Sequence, residues 1–331
     1  MRCGVVGAGA WGTALADLLA ANGCEVVLWA LERDVAEAIN ERQENPRFLP
    51  GATLAPTLRA TSVLRDALDD VAMVVYAVPS AHLRAVARAG APAVPADAIL
   101  TVATKGVEPA TLALMTDVVE AEVAGRPVVA LSGPSFAAEV AARHPTAVVA
   151  ASRDVVAAQQ VQETLSSSTF RVYTHDDVLG VELGGSLKNV MAVATGIAEG
   201  VGLGFNSRAA LITRGLAEMT RLGIALGAQE GTFAGLAGMG DLVLTCTGAL
   251  SRNRAVGLAV GRGATLAEAL AGKETVAEGV TTARSARELA QRHGVEMPIV
   301  ETVNRVLFEG HPPRNSVIEL MSRELRAERD A

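Results

Sequence analysis

The chain opens on a short, mostly apolar run, Arg2 to Val6, passes into glycines, and continues with apolar positions recurring every three or four residues. A period of two residues belongs to a strand and one near 3.6 to an amphipathic helix, so this order predicts strand, turn and helix. The alternation continues. Apolar runs at Glu25 to Trp29, Met73 to Val78, Ile99 to Thr104, Val128 to Ser132, Ala147 to Ala151 and Phe170 to Tyr173 predict further strands, with helical stretches between them. Strands joined by helices form a parallel sheet covered on both faces. Near Gly180 the alternation stops. Gly185 to Ile197 and Ala209 to Leu226 are apolar on several sides, which predicts helices buried in an all-α half. The expected fold is α/β: a Rossmann-type doubly wound sheet over residues 1–180, then an all-α domain over residues 181–331. Without internal repeats or an extended linker, the halves should pack rigidly and share a cleft.

Composition narrows the partners. The 331 residues are 50% hydrophobic, enough for about two domains, and only 3% aromatic, which favours closely packed helices over a β-sandwich. A net charge of −7 without a basic run argues against nucleic acid and for a small-molecule ligand. Cys3, Cys24 and Cys246 have neither metal-ligand spacing nor an even number for a disulfide framework, so no metal is expected. Neither a signal peptide nor an apolar run of membrane-spanning length is evident, and the expectation is a cytoplasmic protein that is not integral to a membrane.

Between the first strand and the first helix lies Gly7-Ala8-Gly9-Ala10-Trp11-Gly12, a G-x-G-x-x-G turn. Gly7 allows the tight turn, Gly9 lets backbone approach a pyrophosphate, and Gly12 permits close helix packing, while the amides of the helix start receive the anion. Ligands of such sheets lie beyond the carboxyl ends of the strands. Three ends are polar here: Val78-Pro79-Ser80, Ala103-Thr104-Lys105-Gly106 and Ser132-Gly133-Pro134-Ser135-Phe136-Ala137. Lys105, at a strand terminus before a glycine, reads as functional; Ser80, Ser132 and Ser135 read as helix caps that can also meet a polar ligand, and His82 as a surface residue.

Lys188 and Asn189 are embedded among small and apolar residues of the first helix of the second half. Desolvation there lowers an ammonium pKa toward neutrality and makes Lys188 a candidate general acid/base. Further on, Gly238 to Arg254 gathers Asp241, Ser251, Arg252 and Asn253 around glycines, a donor set suited to a small phosphorylated ligand.

These segments, with Asn206 to Gly215, Val276-Ala277-Glu278-Gly279 and Met297-Pro298-Ile299, resemble the bacterial NAD(P)-dependent glycerol-3-phosphate dehydrogenases over essentially the whole chain. The resemblance implies a helical half like the C-terminal domain of 6-phosphogluconate dehydrogenase, a homodimer, and reduction of dihydroxyacetone phosphate to sn-glycerol 3-phosphate by NAD(P)H for phospholipid synthesis. It implies Lys188 as the proton donor, Lys105 as a contact to substrate and cofactor together, and Asp241 as the acid orienting the lysine and a substrate hydroxyl. It places Gly133 and Ser135 beside the substrate, and Ser251, Arg252 and Asn253 on its phosphate. Ala10, Trp11, Ala137, Arg252, Val276 and Glu278 fall to the cofactor. Arg208, Arg214 and Arg254 keep a structural reading.

One segment departs from the family. After the second strand its members typically carry an arginine that meets the 2′-phosphate of NADP, whereas this chain reads Trp29-Ala30-Leu31-Glu32-Arg33, with the arginine displaced and an acid before it. Both coenzymes are expected to serve, with reduced discrimination for NADPH. Two rivals remain at this stage. A β-hydroxyacid dehydrogenase would lack the Ser251-Arg252-Asn253 run, and a dinucleotide-sensing binding protein would have no need of Lys105, Lys188 and Asp241 together.

Overall fold

The computed structural model describes residues 1–272, 277–325 and 327–328. Eight strands, β1 (Arg2–Val6), β2 (Glu25–Trp29), β3 (Arg59–Thr61), β4 (Met73–Tyr76), β5 (Ile99–Val102), β6 (Val128–Ser132), β7 (Thr146–Ala151) and β8 (Phe170–His175), form one sheet. Their order is β3-β2-β1-β4-β5-β6-β7-β8. Helices α1 (Ala10–Ala21), α2 (Arg33–Arg42), α3 (Ser80–Gly90), α4 (Met115–Glu122), α5 (Ala137–Ala141) and α6 (Val155–Leu165) connect and cover it. One apolar cluster, including Leu15, Leu18, Leu28 and Val161, fills one face, and another, including Leu68, Tyr76, Leu83 and Val119, fills the other.

The sheet differs from expectation in three respects. β7 runs antiparallel to β6, while every other pairing is parallel. The intervening helix, α5, has five residues. That is too short to carry the chain back along β6, so β7 enters from the near end. β3 has only three residues and no buried position, leaving no apolar signal to read. β4 and β5 stop at Tyr76 and Val102. Thr104 ties their ends together there, donating from Oγ1 to the Val78 carbonyl at 2.7 Å.

Residue 180 lies in the first turn of α7 (Val178–Val201), the longest helix, which is buried at every position from Gly180 to Ala198. Asp177 starts it, one carboxylate oxygen accepting from Gly180 N at 2.9 Å and the other from Gln229 N at 2.9 Å and Thr232 Oγ1 at 2.6 Å. Around α7 lie α8 (Phe205–Leu226), α9 (Glu230–Phe233), α10 (Asp241–Thr247), α11 (Arg252–Gly261), α12 (Leu266–Leu270), α13 (Glu278–Arg292), α14 (Pro298–Phe308) and α15 (Pro313–Met321). The backbones of α7 and α11 touch through glycines: a Cβ on Gly196 would lie 2.2 Å from the Arg254 carbonyl, and one on Gly257 2.1 Å from that of Val193.

The N-terminal turns of α7 also bind the sheet half. Glu182 accepts from Thr116 N at 3.0 Å and from the Thr116 hydroxyl, capping α4 from across the molecule. Ser186 Oγ accepts from Gly106 N at 2.9 Å and donates to Gly106 O at 3.1 Å. Burial raises the Glu182 carboxyl to about 7, against the pull of the Thr116 hydrogen bonds. Among the described residues no single helix is long and apolar enough to cross a membrane.

Candidate active site

The glycine turn has the shape its spacing demands. Gly7 adopts φ +113°, and a side chain there would meet Ala77 O at 3.0 Å. A Cβ on Gly12 would lie 1.9 Å from Gly7 O, so helix and strand meet at backbone distance. Gly9 is different: a Cβ there meets nothing within 4 Å. Gly9 also precedes the first turn of α1, which has no side-chain cap and no acidic residue. Open space before uncapped helix amides fits a dinucleotide pyrophosphate, so these residues suit the coenzyme that the turn implies. Ala10 and Trp11 are half-buried at the mouth of the turn, and Trp11 Nε1 is buried without a partner among the described residues.

Asp241 sits where a π-helical turn, Leu236–Gly240, passes into α10. Gly184 of α7 admits that turn, since a Cβ there would lie 2.6 Å from Ala237 O. Asp241 is 1% exposed and holds a lysine on each carboxylate oxygen. Lys188 Nζ donates to Oδ1 and, at 2.9 Å, to Thr245 Oγ1. Lys105 Nζ donates to Oδ2 at 2.6 Å and to the Gly133 carbonyl at 3.1 Å. Each ammonium has three N–H groups, so one on each lysine is free for a ligand oxygen. Lys188 is 7% exposed and its ammonium stays inside. Burial lowers its pKa to about 8, with the Asp241 carboxylate opposing and the Lys105 charge assisting.

Thr245 was not singled out from the sequence. Its position four residues after Asp241 puts both side chains on one face of α10, and that spacing was the available signal. Gly133 is at φ +139°, and a Cβ would lie 2.9 Å from Val148 Cα, so only glycine delivers this carbonyl to Lys105. Ser135 Oγ donates to the same carbonyl at 3.0 Å, and α5 is capped by Phe136 without a side-chain bond. The capping role expected of Ser132 and Ser135 is therefore not filled. Ala137 is the first residue of α5.

Ser251 caps α11, its Oγ accepting from Arg254 N at 3.2 Å. Asn253 is bound inward, donating to Asn189 Oδ1 and accepting from Gly279 N, each at 2.9 Å. Arg252, between them in sequence, is exposed and makes no ion pair or hydrogen bond among the described residues. Glu278 reaches the sheet half, where its carboxylate accepts from Ser80 N at 3.0 Å and from Ser80 Oγ at 2.5 Å. The cap of α3 is thus supplied by α13, not by Ser80 itself. Burial raises the Glu278 pKa, while the Ser80 bonds and the Arg252 charge hold it down. Val276 lies outside the described residues. Arg254 and Arg208 both pair with Glu199 at 2.7 Å, and Arg214 donates to the Glu328 carbonyl at 3.3 Å, in keeping with structural roles. Arg33 opens α2 and pairs with Glu37.

The chain therefore brings a dinucleotide turn, a two-lysine carboxylate cluster and an unpaired guanidinium into one molecule. Known proteins are similar to this chain along its whole length. The family model described as the NAD-dependent glycerol-3-phosphate dehydrogenase N-terminus matches residues 2–158, and the one described as its C-terminus matches residues 177–318. Glycerol-3-phosphate dehydrogenase [NAD(P)+] of Geobacter sulfurreducens is 55% identical, with 99% of each chain covered. The namesake of Syntrophotalea carbinolica is 52% identical over the whole of both chains. The crystal structure of glycerol-3-phosphate dehydrogenase from Coxiella burnetii, 42% identical, superposes with a TM-score of 0.94 over 97% of this chain and 99% of that one. By sequence along its full length and by fold, this chain belongs to the NAD-dependent glycerol-3-phosphate dehydrogenase family.

Proposed function

We propose that this NAD(P)-dependent dehydrogenase interconverts dihydroxyacetone phosphate and sn-glycerol 3-phosphate, with Lys188 as proton donor and acceptor. In this reading residues 1–180 hold the coenzyme, residues 181–331 hold the substrate, and the product supplies phospholipid synthesis in the cytoplasm. The observation that carries it is the carboxylate of Asp241 gripping Lys105 and Lys188 together, each with one N–H to spare.

The bound nicotinamide supplies the hydride. Lys188 gives its free proton to the carbonyl oxygen as charge develops there, and takes one back in the reverse direction. A pKa of about 8 leaves the ammonium populated at neutral pH yet ready to release a proton. Asp241 and Thr245 fix where that ammonium points, and Lys105, held on the Gly133 carbonyl, offers its spare N–H to a second oxygen. At the far end, the Arg252 guanidinium and the start of α11 receive the phosphate, with Ser251 and Asn253 shaping that start. Glu278 frames the coenzyme side by pinning α13 to α3. A second copy of the chain is the expected partner; a groove of about 1310 Å³ between α8, α14 and α15, lined by Leu211, Ile299, Val303 and Leu320 among others, offers apolar surface for it.

The deciding assay follows NADH and NADPH oxidation with dihydroxyacetone phosphate and with unphosphorylated dihydroxyacetone. The phosphorylated ketone should be preferred by orders of magnitude in kcat/KM. Equal values for the two ketones would remove the phosphate site, and a flat trace with both would remove the enzyme reading.

A further inference from the structure

The ribose of a coenzyme seated on the Gly7–Gly12 turn lies beyond the end of β2, where an acid about 20 residues past the glycines meets free ribose hydroxyls and an arginine accommodates a 2′-phosphate. Both residue types are present here. Glu32 stands 20 residues after Gly12 and occupies the cap position of α2, yet its side chain makes no cap bond and has no partner among the described residues. Arg33 follows it but is turned along α2, with Nε bonded to Glu37 Oε1 at 2.9 Å. Asp34 adds a further carboxylate to the first turn. Glu32, Asp34 and Glu37 thus put three carboxylates at the start of α2 against one occupied guanidinium, and a phosphate carrying about two negative charges meets a net negative segment. Apolar contacts flank the same spot. Trp29 pairs with Thr61 in the β2–β3 register, and two residues beyond each stand Leu31, 74% exposed, and Val63, 52% exposed. Two exposed apolar side chains past adjacent strand ends suit the flat faces of an adenine ring.

We infer that Glu32, Arg33 and Glu37 make this chain select NADH over NADPH, Glu32 taking the free ribose hydroxyls while Glu37 withholds Arg33 from a 2′-phosphate. This rests on the coenzyme site described above and adds its specificity. Glu37 is a positioning residue: it touches Arg33 and acts only through it. The Arg33–Glu37 pair is largely exposed, at 84% and 55%, so it contributes little to folding, and its removal is readable in coenzyme binding.

The test is direct titration of the substrate-free protein with NADH and with NADPH, followed by the fluorescence of the bound nicotinamide, at low and at high salt. The wild-type chain should bind NADH about tenfold more tightly at low ionic strength, with the gap narrowing as salt screens the carboxylates. Glu37→Gln should tighten NADPH roughly threefold and leave NADH within about twofold, and adding Arg33→Ala should abolish that gain. Glu32→Gln should weaken NADH and tighten NADPH together. Equal or tighter binding of NADPH by the wild-type chain overturns the inference, as does a Glu37→Gln gain that persists without Arg33. Failure to bind either coenzyme would instead remove the coenzyme site itself, and the inference with it.

Discussion

Replacing Asp241 by asparagine keeps the volume of the side chain and deletes the one negative charge between two ammonium groups. Lys105 and Lys188 sit on opposite oxygens of that carboxylate, so the deleted charge is in direct contact with both ammonium groups. At an effective dielectric of about 20 a unit charge about 4 Å away is worth about 4 kcal/mol, and the amide dipole that replaces it returns part of that, so the ionisation of Lys188 moves by about two pH units. In the wild-type chain the carboxylate holds Lys188 at about 8 against burial and the Lys105 charge. Without it, both remaining influences push downward, and the breakpoint falls by about two pH units. At pH 7 the protonated fraction of Lys188 then drops roughly tenfold. Loss of the bond that aims the ammonium removes a further factor of about 10 to 100. The expected outcome is a 10²- to 10³-fold loss of kcat for ketone reduction at pH 7, measured by NADH oxidation. Part of that deficit should return at pH 5.5, where Lys188 regains its proton. A deficit that is the same at pH 5.5 and pH 8.5 would refute the electrostatic role and leave Asp241 as a geometric support alone.

Three further outcomes follow from particular residues. Gly9→Ala should leave the melting temperature within about 2 °C of wild type, because the new methyl meets nothing within 4 Å and the backbone there is extended, yet it should weaken coenzyme binding at least about tenfold in a direct titration. Arg252→Ala should raise KM for the phosphorylated ketone roughly 10- to 100-fold with a much smaller change in kcat, the loss of a charge-assisted phosphate contact remote from the reacting carbon. Glu218, buried and accepting from Ile299 N at 2.7 Å, has its carboxyl raised to about 7 by burial. A carboxyl raised above its unfolded value of about 4.5 favours the folded state below that pH and loses the advantage as pH rises to about 7, so stability contributed here falls by about 3 kcal/mol across that window. Melting curves of Glu218→Gln should accordingly decline less between pH 5 and pH 8 than those of the wild-type chain.

What the sequence disclosed depended on how far apart the interacting residues lie. The Gly7 to Gly12 turn is local, and its flanking strand and helix are readable from periodicity, so both its place and its form were predictable. The burial of Lys188 showed in the small and apolar neighbours on every side of it. Its bond to Asp241 spans 53 residues, and the Lys105–Asp241 bond spans 136; no periodicity connects such positions, and family resemblance alone pointed to them. The Glu278–Ser80 cap, 198 residues apart, was hidden for the same reason, and Ser80 was read as its own cap because local spacing offers no other partner. Strand direction was also invisible. Alternation marks β7 as a strand but carries no sign of which way it runs, which the length of α5 decides.

Helix α7 has a consequence for dividing this protein. Its first turns supply Glu182 to α4 and Ser186 to Gly106, and its later turns form the centre of the helical half. A chain cut at residue 180 would hand those first turns to the C-terminal fragment, stripping a helix cap from one piece and exposing Val181, which clusters with Ala130, Val149 and Ala151 of the sheet, on the other. The coenzyme half is therefore a poor donor for modular grafting, since a transplanted piece ending at the sheet leaves behind the beam on which it rests. Fragment complementation, with the two pieces expressed together, is the arrangement this architecture favours.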